Sequence, residues 1–410
     1  MSGDRVLLES LPTPYFSEPL HVGRPNVGSR DRLIERIDGA LERLWFTNDG
    51  PLVREFEARV AELAEVRHCV AVSNATTGIQ VAAKALGIGP GDEVIVPSFT
   101  WVATAHALDW IGAVPVFCEL DEETGTADVA HVERLIGPRT RAILDVHVFG
   151  RPARIDELTK LAAEHGLHLL FDAAHAFGCT YRSKPIGGFG TAEIFSFQAT
   201  KFVNSFEGGA IVTDDDALAD RLRAMRHQGL NAAHEITGSG TVARMHEISA
   251  AMGLTSLEAA DVFTEVNRRN YRLYEEYLDG LPGVRVRPQE PGEQSNCQYV
   301  VIEVDAPRAG LHRDELQAVL QGHNVLARAY FSPGCHSCEP YRSAPSRHAP
   351  DPLPKVEALT ERVLSLPTGT AVGPAEVQGV CRIIRAAVDG SALPGGDHST
   401  EKDAGTSHLR

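Results

Sequence analysis

The chain has 410 residues, 43% hydrophobic and 23% charged, which is ordinary for a soluble globular protein. That length exceeds one simple core and predicts a large domain with a smaller one beside it. A formal net charge of −16 argues against nonspecific nucleic-acid binding, and no apolar run is long enough to span a membrane. The first ten residues carry no basic stretch followed by a long apolar one, so no signal peptide is read and a cytoplasmic location is expected. The 7 scattered cysteines read as reduced thiols. Cys335-His336-Ser337-Cys338 is a single pair without a second at zinc-finger spacing, so no metal is assigned to it.

In chain order, residues 1–30 read as irregular, punctuated by Pro12, Pro14, Pro19 and Pro25. A helix is expected from Asp31 to Leu44 with Asp31 as its N-cap, then a turn at Asn48-Asp49-Gly50-Pro51 and a second helix from Leu52 to Leu63. From residue 68 short apolar strands alternate with helices. Strands are read at Val70–Ser73, Glu93–Pro97, Val114–Cys118, Ala142–Val148 and His168–Phe171. Helices are read between them at Thr76–Leu86, Val102–Ile111, Val129–Ile136 and Ile155–His165. This alternation implies an α/β fold with a mostly parallel sheet covered on both faces, and ligands in such sheets bind at the carboxyl ends of the strands. Further helices are expected at Asp214–Arg226 and His246–Glu258, with a long one from Asp261 to Leu281. Strands at Gln298–Val304 and Asn324–Phe331 belong to a smaller α+β C-terminal domain, and the Gly-, Ser- and charge-rich stretch from Ser391 reads as a disordered tail. The expected division is an N-terminal segment 1–30, a large domain 31–262, a small domain 263–390 and a tail 391–410.

Two strand ends carry the chemistry. Lys201 follows the apolar run ending in Ser196-Phe197-Gln198-Ala199-Thr200, and Asp172 ends Leu169-Leu170-Phe171. An amine and a carboxylate so placed, with hydroxyls nearby, suit pyridoxal phosphate. The lysine takes the aldehyde, and the aspartate keeps the pyridinium nitrogen protonated so that the ring acts as an electron sink. Ser73-Asn74-Ala75-Thr76-Thr77-Gly78, between a strand and a helix, offers amides and hydroxyls to a phosphate, although capping alone would explain it. Alone, Asp172 could be a cap, His175 a core histidine, Lys201 a solvated charge and Trp101 a packing residue. Their joint occurrence in this order is what such separate explanations leave out.

These segments resemble the DegT–StrS type nucleotide-sugar aminotransferases, of the aspartate aminotransferase fold. The resemblance runs over roughly residues 18–390 through Gly50-Pro51, Ser73–Gly78, Pro97–Thr104, Val146–Gly150, Asp172–His175, Phe195–Lys201, Glu207-Gly208-Gly209 and Leu364–Pro367. It is strongest to 4-aminotransferases acting on dTDP-4-keto-6-deoxy-glucose, as in the desosamine pathway, through Ala251–Leu257 and Arg328–His336. It implies a pyridoxal 5'-phosphate enzyme of deoxyaminosugar biosynthesis, with a nucleotide-linked keto sugar as substrate, L-glutamate as amino donor and a homodimer with its active sites at the interface. A 3-aminotransferase and a non-catalytic relative are the competing readings. Residue by residue, the resemblance implies Lys201 as Schiff-base lysine and proton shuttle, Asp172 on the pyridinium and Trp101 stacked on the ring. It puts His175 beside the ring, Thr76, Thr77 and Ser196 on the phosphate, and Tyr330 and His336 near the sugar. Two positions depart from the family pattern: Gln198 where histidine is usual, and Val242 where an asparagine reaches the neighbouring subunit's phosphate. A valine donates no hydrogen bond, so looser cofactor retention or a substitute donor such as Asn231 is expected.

Overall fold

The computed structural model describes residues 13–391. Its centre is a seven-stranded sheet: β1 (His68–Val72), β2 (Glu93–Pro97), β3 (Val114–Cys118), β4 (Thr140–Val146), β5 (His168–Asp172), β6 (Ala192–Ser196) and β7 (Gly209–Thr213). Their order across the sheet is β1-β7-β6-β5-β4-β2-β3, and β7 alone runs antiparallel to its neighbours. The strands are apolar on both faces because both faces are covered. Their two-residue alternation sends Cys69, Ala71, Ile95, Leu169 and Phe171 into one core cluster, and Val70, Val72, Val94, Val96 and Leu170 into another.

The first cluster is closed by α2 (Pro51–Leu63), α6 (Ile155–His165) and α8 (Glu247–Glu258). The second is closed by α3 (Ala75–Ala85), α4 (Ala103–Trp110) and α7 (Asp216–Arg226). Two further helices, α1 (Arg30–Arg43) and α5 (Val129–Leu135), complete this part of the chain. Helices α2 and α8 approach closely at Gly253, where an added Cβ would lie 2.5 Å from Phe56 Cε2. Phe56 is fully buried there, a site where truncation to alanine costs about 3–5 kcal/mol.

The C-terminal part is α+β. Strands β8 (Val284–Val286), β9 (Val300–Val304) and β10 (Val363–Leu366) form an antiparallel sheet in that order. It packs with α9 (Ala260–Leu278), α10 (Arg313–Gly322) and α12 (Pro374–Asp389) around a third cluster that includes Tyr274, Leu316, Leu320 and Val380. Between them α11 (Pro354–Thr360) docks on the large sheet, its first amides at Lys355 and Val356 donating to the buried Glu119 carboxylate at 2.9 Å each.

Some expectations need correction. The N-cap of α1 is Ser29, whose Oγ accepts from Arg32 N at 3.3 Å, and Asp31 lies inside the first turn, where it complements the helix dipole. Of the segment 1–30, residues 1–12 lie outside the described residues, and the remainder is not wholly irregular, since Leu20–His21 pairs in parallel with Val325–Leu326. The strand expected over Asn324–Phe331 is therefore only two residues long: Arg328 bridges once to Ser365, and the chain then turns toward the large sheet at Tyr330. The long helix ends at Leu278, ahead of Gly280 (φ 69°) and Pro282. The expected tail lies outside the described residues except for Ser391.

Candidate active site

A cavity of about 680 Å³ opens at the carboxyl ends of β1, β5 and β6. Thr76, Thr77, Trp101, Asp172, His175, Ser196, Lys201 and Tyr330 all line it. A larger groove of about 810 Å³ runs along α1, but it is an open surface walled by charged residues that pair with one another, such as Arg32 with Glu35. The groups suited to chemistry, Lys201, Asp172 and His175, line the smaller cavity.

Each side chain is placed by a strand end or a helix start. Asn74 caps α3 by accepting from Thr77 N at 2.8 Å. That leaves the amides of Ala75 and Thr76 as the helix's outward donors, at the positive end of its dipole. Gly209 at the start of β7 permits this approach, because a Cβ there would sit 2.6 Å from Ala75 N. Asp172 closes β5. Its Oδ2 accepts from Thr104 Oγ1 at 2.8 Å and its Oδ1 from Ala174 N at 3.1 Å. Thr104 has one proton to give, so in its 3.0 Å contact with Thr100 the Thr100 hydroxyl is the donor. A relay Thr100→Thr104→Asp172 results.

Burial dominates the electrostatics. It pushes the Asp172 carboxyl up, against the bonds from Thr104 and Ala174 and the Lys201 charge. It pushes the Lys201 amine down to about 8, against the pull of Asp172. Lys201 Nζ donates to the Tyr299 hydroxyl at 3.2 Å. The His175 ring lies well below its usual value, through burial and then Lys201. Its Nδ1 accepts from Phe149 N at 3.1 Å, so the neutral ring carries its proton on Nε2. Phe149 holds that amide in place from a left-handed conformation, φ 56°, unusual for a bulky residue.

Gln198 accepts from Thr200 N at 2.9 Å and Thr200 Oγ1 at 2.6 Å, tying the loop that leads to Lys201. Val242 is 59% exposed and does not line the cavity. Asn231 uses its side-chain oxygen on Ala233 N and Glu235 N, and its amide on Glu235. The structure does not bring His336 to the cavity wall: its Nδ1 is 2.7 Å from Ser98 Oγ, and its Nε2 is 3.6 Å from Glu357. Cys335 is buried beside it, its Sγ 3.3 Å from the Thr100 carbonyl oxygen. Sequence reasoning missed Thr104 and Tyr299. Thr104 lies in the first turn of α4 and Thr100 in the bend before it, so no helical spacing links the two hydroxyls in the sequence.

Pyridoxal phosphate fits these residues. The amides at the start of α3 and the hydroxyls of Thr76, Thr77 and Ser196 line one cavity, and they are donors of the kind that could hold a phosphate. The buried carboxylate of Asp172 is short of a cation, which a protonated pyridine supplies, and Lys201 offers an amine with a depressed pKa.

Comparison with known proteins identifies the family. The model of the DegT/DnrJ/EryC1/StrS aminotransferase family matches residues 29–385. A GDP-perosamine synthase from Vibrio cholerae is 31% identical over 368 residues, 89% of this chain and 98% of that protein. The crystal structure of DesI in the presence of its TDP-sugar product superposes with a TM-score of 0.88 at 52% identity, covering 92% of this chain and 95% of that one. DesV of S. venezuelae, solved in complex with a ketimine intermediate, gives 0.82 at 34% identity, covering 88% and 95%. The chain belongs to the DegT/DnrJ/EryC1/StrS aminotransferase family and is a pyridoxal-phosphate-dependent enzyme.

Proposed function

We propose that this enzyme aminates a nucleotide-linked 4-keto-6-deoxy sugar, dTDP-4-keto-6-deoxy-D-glucose, at C4, with L-glutamate as amino donor, in deoxyaminosugar biosynthesis. The observation that carries the chemistry is the Lys201 amine and the Asp172 carboxylate lining one buried cavity beside the start of α3. The choice of sugar is supported by the 52% identity to DesI, a protein solved with a TDP-sugar product. A GDP-linked sugar is the second reading, favoured by the 31% identity to a GDP-perosamine synthase.

In this reading Asp172 holds the pyridine nitrogen protonated, and Thr104 and Ala174 hold Asp172. Thr76, Thr77 and Ser196 hold the phosphate, and Trp101 covers the ring. Bound, the cofactor supplies an electron sink conjugated to the reacting carbon. Lys201 Nζ, once freed by the donor, would carry the proton from the donor's α-carbon to the reacting carbon of the bound group in the first half-reaction, and would carry a proton from that carbon to C4 of the sugar in the second. His175, neutral, offers Nε2–H without adding charge. Tyr330, on the cavity wall, would meet the sugar. The exposed Trp110 (83%) shares a surface groove with Gln80, which lines the cavity as well, and this supports a homodimer contact there. The division into domains 31–262 and 263–390, and a cytoplasmic setting, complete the proposal.

The test is absorbance of the purified protein with pyridoxal phosphate. L-glutamate should bleach the yellow form, and dTDP-4-keto-6-deoxyglucose should restore it. Restoration by a GDP-sugar alone would overturn the thymidine assignment. Lys201→Ala should abolish turnover, and near-normal transamination by it would sink the site assignment.

A further inference from the structure

We propose that Tyr299 is a positioning residue for the Lys201 amine, presenting it for proton transfer at the donor's α-carbon; this rests on the role given to Lys201 above. Among the described residues, the one hydrogen bond given by Lys201 Nζ goes to the Tyr299 hydroxyl, at 3.2 Å. The nitrogen stands 5.7 Å from the centre of the same ring. A phenol suits both states of that amine. It accepts from the ammonium form and donates to the free base. Burial raises the phenol's own pKa, so it stays neutral and adds no charge to a cavity that already holds Asp172.

The tyrosine is held from both sides. Its ring packs against His175 at 4.6 Å and Phe149 at 5.5 Å between centroids. Its backbone belongs to a segment tied directly to the two residues it serves. Gln298 accepts from Phe202 N, next to Lys201, at 3.2 Å, and donates to the His175 carbonyl at 3.2 Å. Asn296 donates to the same carbonyl at 2.9 Å and to Phe177 O at 3.0 Å. Tyr299 immediately precedes β9, so the C-terminal α+β part reaches across to the lysine through this residue. A group whose ring is packed and whose chain neighbours are tied down fixes the far end of a flexible four-carbon side chain, which is what pre-organises a proton transfer.

The test is Tyr299→Phe, which keeps the ring and removes one oxygen. In the cofactor-free full-length chain, labelling of Lys201 by an amine reagent, read by peptide mass spectrometry, should titrate near about 8 in the wild type. In Tyr299→Phe the midpoint should fall by about one unit, because the ammonium loses its acceptor. Capture of pyridoxal phosphate should be as fast or faster, since more amine is neutral. Bleaching by L-glutamate should slow about tenfold or more, with a larger isotope effect for α-deuterated glutamate. A merely structural role would slow capture and bleaching together. That result, or an unchanged midpoint with unchanged bleaching, overturns the proposal. If wild-type protein captures the cofactor but ignores glutamate, the donor assignment fails while the titration still decides the role of Tyr299.

Discussion

Thr104→Val tests how much the cavity depends on a residue that never meets the cofactor in our reading. The substitution keeps the shape of the side chain and removes the hydroxyl that donates to Asp172 Oδ2 at 2.8 Å. Asp172 is 7% exposed, so water does not readily replace that donor, and one bond remains, from Ala174 N at 3.1 Å. A hydrogen bond to a charged group contributes about 1.5–3 kcal/mol. Each 1.36 kcal/mol moves a pKa by about one unit, so the Asp172 pKa should rise by about one to two units. The sign is upward because the lost bond favoured the carboxylate. A protonated Asp172 cannot hold a protonated pyridine. The acid limb of the kcat/KM profile should therefore move to higher pH by that amount, and cofactor affinity measured by absorbance titration should weaken about tenfold or more. Thr104→Ser, which restores the hydroxyl, should return both toward wild type. An acid limb and an affinity in Thr104→Val within error of wild type would show that the relay from Thr100 does not support Asp172.

Two further substitutions probe the frame of the site. Gly209→Ala places a Cβ 2.6 Å from Ala75 N and 2.7 Å from Asn74 C, so the start of α3 must move. Such overpacking costs about 1–3 kcal/mol, and here it should appear as roughly tenfold weaker cofactor binding with an unchanged far-UV circular dichroism spectrum; wild-type affinity would refute a phosphate site there. Glu119→Gln leaves one acceptor oxygen where the carboxylate serves Leu120 N, Lys355 N and Val356 N. A loss of about 1–3 kcal/mol is expected in urea unfolding, and an unchanged midpoint would show that this contact does not hold α11 to the large sheet.

The parts of the site legible in the sequence were those written at strand ends. Asp172 and Ser196 close β5 and β6, and Asn74 opens α3, because short continuous apolar runs stop where the chain must turn. Tyr299 was invisible for a different reason. It lies 98 residues from Lys201, and nothing local in Gln298-Tyr299-Val300 marks a residue that will cross to another sheet. The α1 cap was misread because Ser29 and Asp31 are both acceptable caps by type, and only the chain's entry angle selects between them. The strand over 324–331 failed because its apolar pattern serves two masters. Val325 feeds the third core cluster and Phe331 the second, so the backbone cannot stay in one ladder.

The chain's −16 charge sits oddly with an anionic cofactor and a diphosphate-linked sugar, until the range of the charges is considered. At physiological ionic strength exposed charges are screened beyond about 8 Å. Many of the acids are also answered where they stand, as in Arg36–Glu258, Arg139–Glu93 and Lys355–Asp128. Inside the cavity, burial removes the screening, so the local donors decide: the start of α3, the Lys201 amine and the neutral His175. Burial also sets the two ionisable partners against each other, raising Asp172 and lowering Lys201. Each then gains by meeting a group it lacks, the carboxylate a pyridinium and the amine an aldehyde. The residues that surround this pair are thus poised for one kind of molecule, a cationic ring bearing an aldehyde and a phosphate, whatever the sign of the surface beyond.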